Sequence, residues 1–433
     1  MVNIKIMSKL LLSVFFFLSS ITAFSQKRDL KFYVEQAQKT SPIIQKNKND
    51  NKIVKLDLQQ TERILKCPVL SLESGILFAP IISYDAFPNT FDVVTNGSSN
   101  YIGYDLGITN GGQYQAYLSV KQPLLGKMNL KPFTQKADIS RKQNENSTSL
   151  TVHELEQLVG YQFILCLKSK AQIKNGKAIL QLMDEQLNIM HKLVDNAVYK
   201  QSDLMLMEIE KQNKILENKS FEDDYKANLY DLNLLCGIKE STEIDIQETE
   251  LSLKSETATS SQFLISYKLD SLGIVADQTI NELKYKPQLN AFANAGYNAT
   301  GIPTLDHFGF SVGLNFSWTL YDGNQRKLER EKSNVNLLTQ QFEKNHFLTQ
   351  KEINLNKIKD QLKALTERGI ILENQLAQYE KLYKVYENEL MHGLVSVMDF
   401  KNLLKDLTAK RQEYLLQKME KQLLVNSYNY WNY

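Results

Sequence analysis

Apolar and small polar residues alternate between Phe310 and Leu320. Val312, Leu314, Phe316, Trp318 and Leu320 form one set, and Ser311, Gly313, Asn315, Ser317 and Thr319 the other. A period of two sends the sets to opposite faces of a strand. An apolar face backed by a small polar one suits a strand between hydrocarbon and a wet lumen. Asp322-Gly323 ends the strand, and the chain from Asn324 is proline-free and highly charged, which predicts a long helix. An earlier stretch repeats the plan. Tyr114, Ala116, Leu118 and Val120 alternate, Leu124 stands where Leu320 does, Gly126 breaks the strand, and a second proline-free run follows Pro132.

The eight prolines stand at 42, 68, 80, 88, 123, 132, 287 and 303, leaving 133–286 and 304–433 without one. Proline inside a helix costs about 3 kcal/mol, so these gaps predict helix. Pro132 is compatible with the first turn of the helix it precedes. In the first gap Ile173, Gly176, Leu180, Met183, Leu187, Met190 and Val194 keep a three-to-four spacing, as do Leu372, Leu376, Tyr379, Tyr383, Tyr386 and Leu390 in the second. Long helices packed in coiled-coil fashion are expected. A continuous helix from Phe133 to Asn196 would run roughly 100 Å. Upstream, 27–66 reads as helix interrupted at Ser41-Pro42, and Val69 begins a strand after Pro68.

An internal repeat organises these elements. Lys66-Cys67-Pro68-Val69-Leu70 recurs as Tyr285-Lys286-Pro287-Gln288-Leu289, 219 residues on, and Leu118 and Leu124 recur as Leu314 and Leu320, 196 on. The difference of 23 fits in the loops, the first repeat having the longer one, Phe78 to Gly112. The expected organisation is a first repeat over 26–237, with strands at 69–79 and 113–124, a Ser-, Thr- and Glu-rich connector over 238–262, and a second repeat over 263–433, with strands at 288–298 and 309–321. The fold class is mixed α and β, built on long helical hairpins.

Composition narrows the function. Lys5 and Lys9, the apolar run Leu10–Leu18 and Ala23-Phe24-Ser25 make residues 1–25 read as a secretory signal peptide. With 51 basic and 49 acidic residues the chain is nearly neutral, which argues against a nucleic-acid partner. Cys67, Cys166 and Cys236 are too few and too scattered for a disulfide framework, and read as packed thiols. His153, His191, His307, His346 and His392 are dispersed without metal-ligand spacing, and no phosphate-binding glycine loop or nucleophile elbow occurs. No enzyme, cofactor or metal site is expected. Lys211, Lys214, Lys219 and Lys226 interleave with Glu217, Glu222, Asp223 and Asp224, the pattern of a solvated helix face.

The second long helix should reverse near His392-Gly393, with Ser396 capping the returning helix and Asp399 in its first turn. Tyr199-Lys200-Gln201-Ser202-Asp203 occupies the matching place in the first repeat, which lacks the glycine. An ordinary helix–helix turn accounts for these residues equally well.

With the doubled layout, Leu320-Tyr321-Asp322-Gly323-Asn324-Gln325-Arg326-Lys327 after a strand, the tip from Gly393 to Asp399, and Leu234-Leu235-Cys236-Gly237 closing the first half, the chain resembles the TolC-like outer-membrane efflux and secretion channels. The resemblance spans the mature chain and rests on order and spacing. It implies a homotrimer in which each protomer lends four strands to a shared twelve-stranded barrel in outer-membrane lipid, and helices that form a periplasmic α-barrel. It further implies partnership with a periplasmic adaptor (membrane fusion) protein and an inner-membrane pump. The family's constricting acidic positions map to Asp399 and, as a departure, to Asn402, which would weaken an acidic ring. Its adaptor-contacting tip maps to Gly393, Leu394, Val395 and Ser396, and more loosely to Gln201, Ser202 and Asp203. The alternative is a secreted periplasmic coiled-coil spacer or adaptor with no channel, which has no need of Phe316 and Trp318 on an outward strand face.

Overall fold

The computed structural model describes residues 28–79, 82–83, 101–102, 111–239, 245–255, 261–300 and 307–433. The expected signal peptide, most of the 78–112 loop and parts of the connector lie outside the described residues. In chain order the elements are α1 (Leu30–Thr40), α2 (Pro42–Lys66), β1 (Val69–Ala79), β2 (Ile82–Ser83), β3 (Tyr101–Ile102), β4 (Gly111–Pro123), α3 (Leu130–Asp195), α4 (Gln201–Leu235), α5 (Gln262–Asn281), β5 (Gln288–Thr300), β6 (His307–Ser317), α6 (Gln325–Met391) and α7 (Val397–Trp431). The helical hairpins repeat closely: α3 and α6 hold 66 and 67 residues, and α4 and α7 hold 35 each. At 1.5 Å per residue the longer helices run about 100 Å. Pro132 is the third residue of α3, where its missing N–H would have had no helical acceptor.

Two compact units interleave in sequence, one from residues 1–45, 148–263 and 345–433, the other from 46–147 and 264–344. The second unit holds an antiparallel sheet in the order β1-β4-β5-β6. Its register aligns Leu72, Leu118 and Ala295 with Phe310 on one face, and Ser71, Ser119 and Asn294 with Ser311 on the other. Each strand alternates accordingly. Leu70, Leu72, Ile76 and Phe78 share a face with Leu118 and Val120, with Leu289, Ala291, Ala293 and Ala295, and with Phe308, Phe310, Val312, Leu314 and Phe316. The opposite face carries Glu73, Tyr117, Lys121, Asn298 and Gly309, with Glu73 accepting from Ser71, Tyr117 and Lys121. A sheet packed on a core would bury its apolar face; here Leu72, Ile76, Phe78, Phe310 and Val312 are all more than three-quarters exposed.

β6 ends at Ser317, four residues short of the boundary expected from its alternation. Trp318 continues the pattern beyond the last ladder pair, Gln288 with Ser317, and its indole N–H donates to the Tyr285 carbonyl at 3.2 Å. Next, Gly323 and Asn324 take the left-handed conformation (φ 69° and 65°), and the Asp322 carboxylate accepts from the Arg326 backbone N–H and the Tyr285 hydroxyl. This caps α6. Glu282 clasps the junction by accepting from both Arg326 and Arg330, and those guanidinium hydrogen bonds pull its carboxyl down to about 2. In the same unit Asn47 meets Ser147, Asn51 meets Asn144, and Gln143 meets Asp270, so polar pairs hold α2 and α5 against α3.

The other unit has two buried clusters. One gathers Tyr33, Ala37, Val159, Phe163, Cys166, Leu229, Leu232 and Cys236. Burial pushes the Cys166 and Cys236 thiols up to about 12, as packed, unreactive groups. Cys67 departs from the expectation: it is exposed just after α2. Residues 245–255 are irregular and strapped down. Gln422 accepts from Leu251 N–H, Asn429 bonds both Ser252 and Lys254, and Asn432 donates to the Lys254 and Ser255 carbonyls. His153 is buried with its ring stacked on Tyr433 and Tyr430. Its Nε2 bonds the Tyr430 carbonyl at 2.9 Å, and burial lowers its pKa.

Candidate functional site: the paired hairpin turns

The second buried cluster fixes the turns of both hairpins. Met183, Leu187 and Met190 of α3, Leu204 and Met207 of α4, Tyr383 and Leu390 of α6, and Phe400 and Leu403 of α7 are all buried in it. The stripes read from helical spacing supply its α3 and α6 sides through Met183, Leu187, Met190, Tyr383 and Leu390, and the returning helices supply the rest. Gln186 is a polar intruder, donating to the Tyr383 hydroxyl, which burial pushes up to about 12.

The two turns share one geometry. Gly393 N–H bonds the Leu390 carbonyl and Leu394 N–H the Glu389 carbonyl; Ala197 N–H bonds Val194 and Val198 N–H bonds Leu193 in the same way. This is the Schellman closure, which requires a left-handed residue. Gly393 supplies it at φ 69°, and Ala197 takes the same conformation at φ 57°. The positions are 196 apart, the repeat offset found for β4 and β6. The counterpart of Gly393–Ser396 is therefore 197–200, while Gln201 matches Val397 and Asp203 matches Asp399.

The caps differ. Ser396 accepts from Asp399 N–H at 3.0 Å and donates its hydroxyl proton to the Asp399 carboxylate at 2.6 Å. Lys200 has no acceptor side chain, and Asp203 instead accepts from the Lys200 backbone N–H at 3.1 Å. The turns touch. A Cβ on Gly393 would lie 2.9 Å from a Val198 methyl, and the Tyr199 hydroxyl reaches the Val395 carbonyl at 2.7 Å and that of Leu390 at 3.2 Å. Burial and the nearby Asp203 charge raise the Tyr199 pKa.

Of the expected tip residues, Leu394 and Ser396 are exposed and Val395 packs against the cluster. Gln201 and Ser202 are exposed in the first turn of α4, and Asp203 is half-buried. Asp399 and Asn402 are both exposed, three residues apart on α7 and so on one side of it. Tyr199 falls within the expected first-half tip, but Ala197 was not expected from the sequence; the offset of 196, extended from the strands to the turns, points to it. Among the described residues no group of histidine, cysteine and carboxylate side chains could hold a metal ion. No described helix is long and apolar enough to cross a membrane.

No protein-family model matches the sequence, and no curated protein matches it. Solved structures do. The transmembrane channel CusC superimposes with a TM-score of 0.70 over 93% of this chain and 91% of its own, at 10% identity. VceC, an outer-membrane protein of Vibrio cholerae, gives 0.65 over 93% and 95% at 13% identity. The open outer-membrane channel MtrE of Neisseria gonorrhoeae gives 0.63 over 93% and 88% at 10% identity. The chain has the TolC-like channel fold.

Proposed function

We propose that the protein is the outer-membrane channel subunit of a tripartite efflux or type I secretion system, a passive exit duct gated at its periplasmic tip. The observation that carries this reading is the sheet: an exposed apolar face across all four strands, backed by a polar one. The strands hold 11, 13, 13 and 11 residues, enough to cross a hydrocarbon core when tilted. β1 and β6 are edges of that sheet, and a sheet with open edges is not viable in lipid. Four strands do not close a barrel, for which about eight are the minimum. Copies must therefore combine, and three give the twelve-stranded barrel of the TolC-like resemblance. CusC, VceC and MtrE, described as channel or outer-membrane proteins, support the same reading.

On this reading the long hairpins stand in the periplasm. Asp399 and Asn402 line the constriction, a ring of three Asp399 carboxylates attracts cations, and the exposed Leu394 beside Gly393, Val395 and Ser396 meets the adaptor together with Gln201, Ser202 and Asp203. A soluble coiled-coil spacer would leave the sheet's apolar face in water. Membrane fractionation tests the choice. The channel reading expects recovery with the outer membrane, release only by detergent, and a trimeric mass; a soluble periplasmic monomer would refute it.

A further inference from the structure

The end of the sheet nearest the helices carries a second pattern. All four strand–helix junctions gather there: Gln122 of β4 donates to the Lys66 carbonyl at the end of α2, Leu124 N–H to the Leu289 carbonyl of β5, and Trp318 to Tyr285. Residues 62–68, 124–131, 282–286 and 318–330 hold nine basic and four acidic residues, an excess of five in a chain whose total excess is two. The acids are already engaged. Glu62 pairs with Lys66, Glu282 with Arg326 and Arg330, Glu329 with Lys332, and Asp322 caps α6. Lys127, Lys131, Lys284 and Lys286 are exposed and have no ion-pair partner among the described residues. Beside them Leu124, Met128, Trp318 and Leu320 are exposed too, and Leu124 and Trp318 continue the alternation of the sheet's apolar face.

We propose that this belt binds the phosphate headgroups of anionic phospholipid in the leaflet from which the helices emerge. The inference rests on the sheet spanning a membrane. Apolar and aromatic side chains at the end of a lipid-facing sheet sit at the acyl–headgroup boundary. Unpaired ammonium groups beside them meet the phosphate layer, and anionic lipid is favoured because each lysine near such a surface adds attraction. Arg326 and Arg330 are held by Glu282 and belong to the junction, leaving the four lysines for the lipid.

The test uses the full-length detergent-purified oligomer, delipidated and returned to nanodiscs of phosphatidylglycerol or phosphatidylcholine, with retained lipid counted by native mass spectrometry. The wild type should retain phosphatidylglycerol preferentially, and the preference should weaken with salt. The variant Lys127→Gln/Lys131→Gln/Lys284→Gln/Lys286→Gln should lose retained phosphatidylglycerol by at least about tenfold. The matching four Lys→Arg changes should preserve it and show that the fold survives. Equal retention of both lipids, or no loss in the glutamine variant, overturns the proposal. So does a shift of the reversal potential in the glutamine variant with lipid retention unchanged, which would place the lysines in the pore. Failure of the wild type to enter nanodiscs overturns the membrane-spanning reading itself, a distinguishable outcome.

Discussion

The two hairpin turns have the same hydrogen bonds but different residues at the left-handed position. Gly393 adopts φ 69° without cost from a side chain, whereas Ala197 adopts φ 57° against the preference of an L-residue. The second hairpin also has a serine cap, where the first has Lys200. Geometry has thus been kept in both repeats while the local chemistry that favours it is concentrated in the second. What holds the first turn is tertiary: Val198 against Gly393, and the Tyr199 hydroxyl on the second turn's carbonyls. The first turn is shaped by its neighbour, and the second largely shapes itself.

The sharpest way to break this asymmetry is Gly393→Val. A β-branched residue at a left-handed φ, with Val198 2.9 Å from its Cβ, should cost about 2 kcal/mol and speed amide exchange in both turns. Exchange unchanged at 193–199 would show that the turns are independent. Removing one bond at a time is milder. Tyr199→Phe and Ser396→Ala should each cost about 1 kcal/mol. Tyr199→Phe should loosen both turns, and Ser396→Ala only the start of α7, as read by exchange at each helix start. The smallest effect is a gain. Ala197→Gly relieves the left-handed strain and should stabilise the first turn by no more than about 1 kcal/mol, because glycine also loosens the unfolded chain. A loss of stability there would mean that the Ala197 conformation carries no strain.

Much of this fold is legible in the sequence because its elements are long and strongly periodic. The proline gaps together with the breaks at Asn196, Asp322-Gly323 and His392-Gly393 predict α3 and α6 to within a few residues, and the Met183, Leu187 and Met190 stripe is buried as spacing demands. Legibility fails where side chains answer to distant partners. Trp318 fits the alternation of β6 yet stands beyond the ladder with its indole N–H on the Tyr285 carbonyl, a partner that periodicity does not register. The middle of β5's apolar face is Ala291, Ala293 and Ala295, too weakly hydrophobic to announce a face until the register sets Ala295 beside Leu118 and Phe310. Asn429 and Asn432 look like ordinary helix-end residues, and only the folded chain lays the connector's carbonyls across them. At the turns Gly393 advertises itself, and Ala197 does not.

Single-channel recording of the detergent-purified oligomer in a planar bilayer, with Asp399→Ala alongside, tests the central claim most directly. The account predicts discrete openings from a trimer, and conductance or cation block that changes when the Asp399 carboxylate is removed. Openings indifferent to Asp399→Ala would remove that residue from the pore, and an oligomer that never conducts would contradict the channel itself.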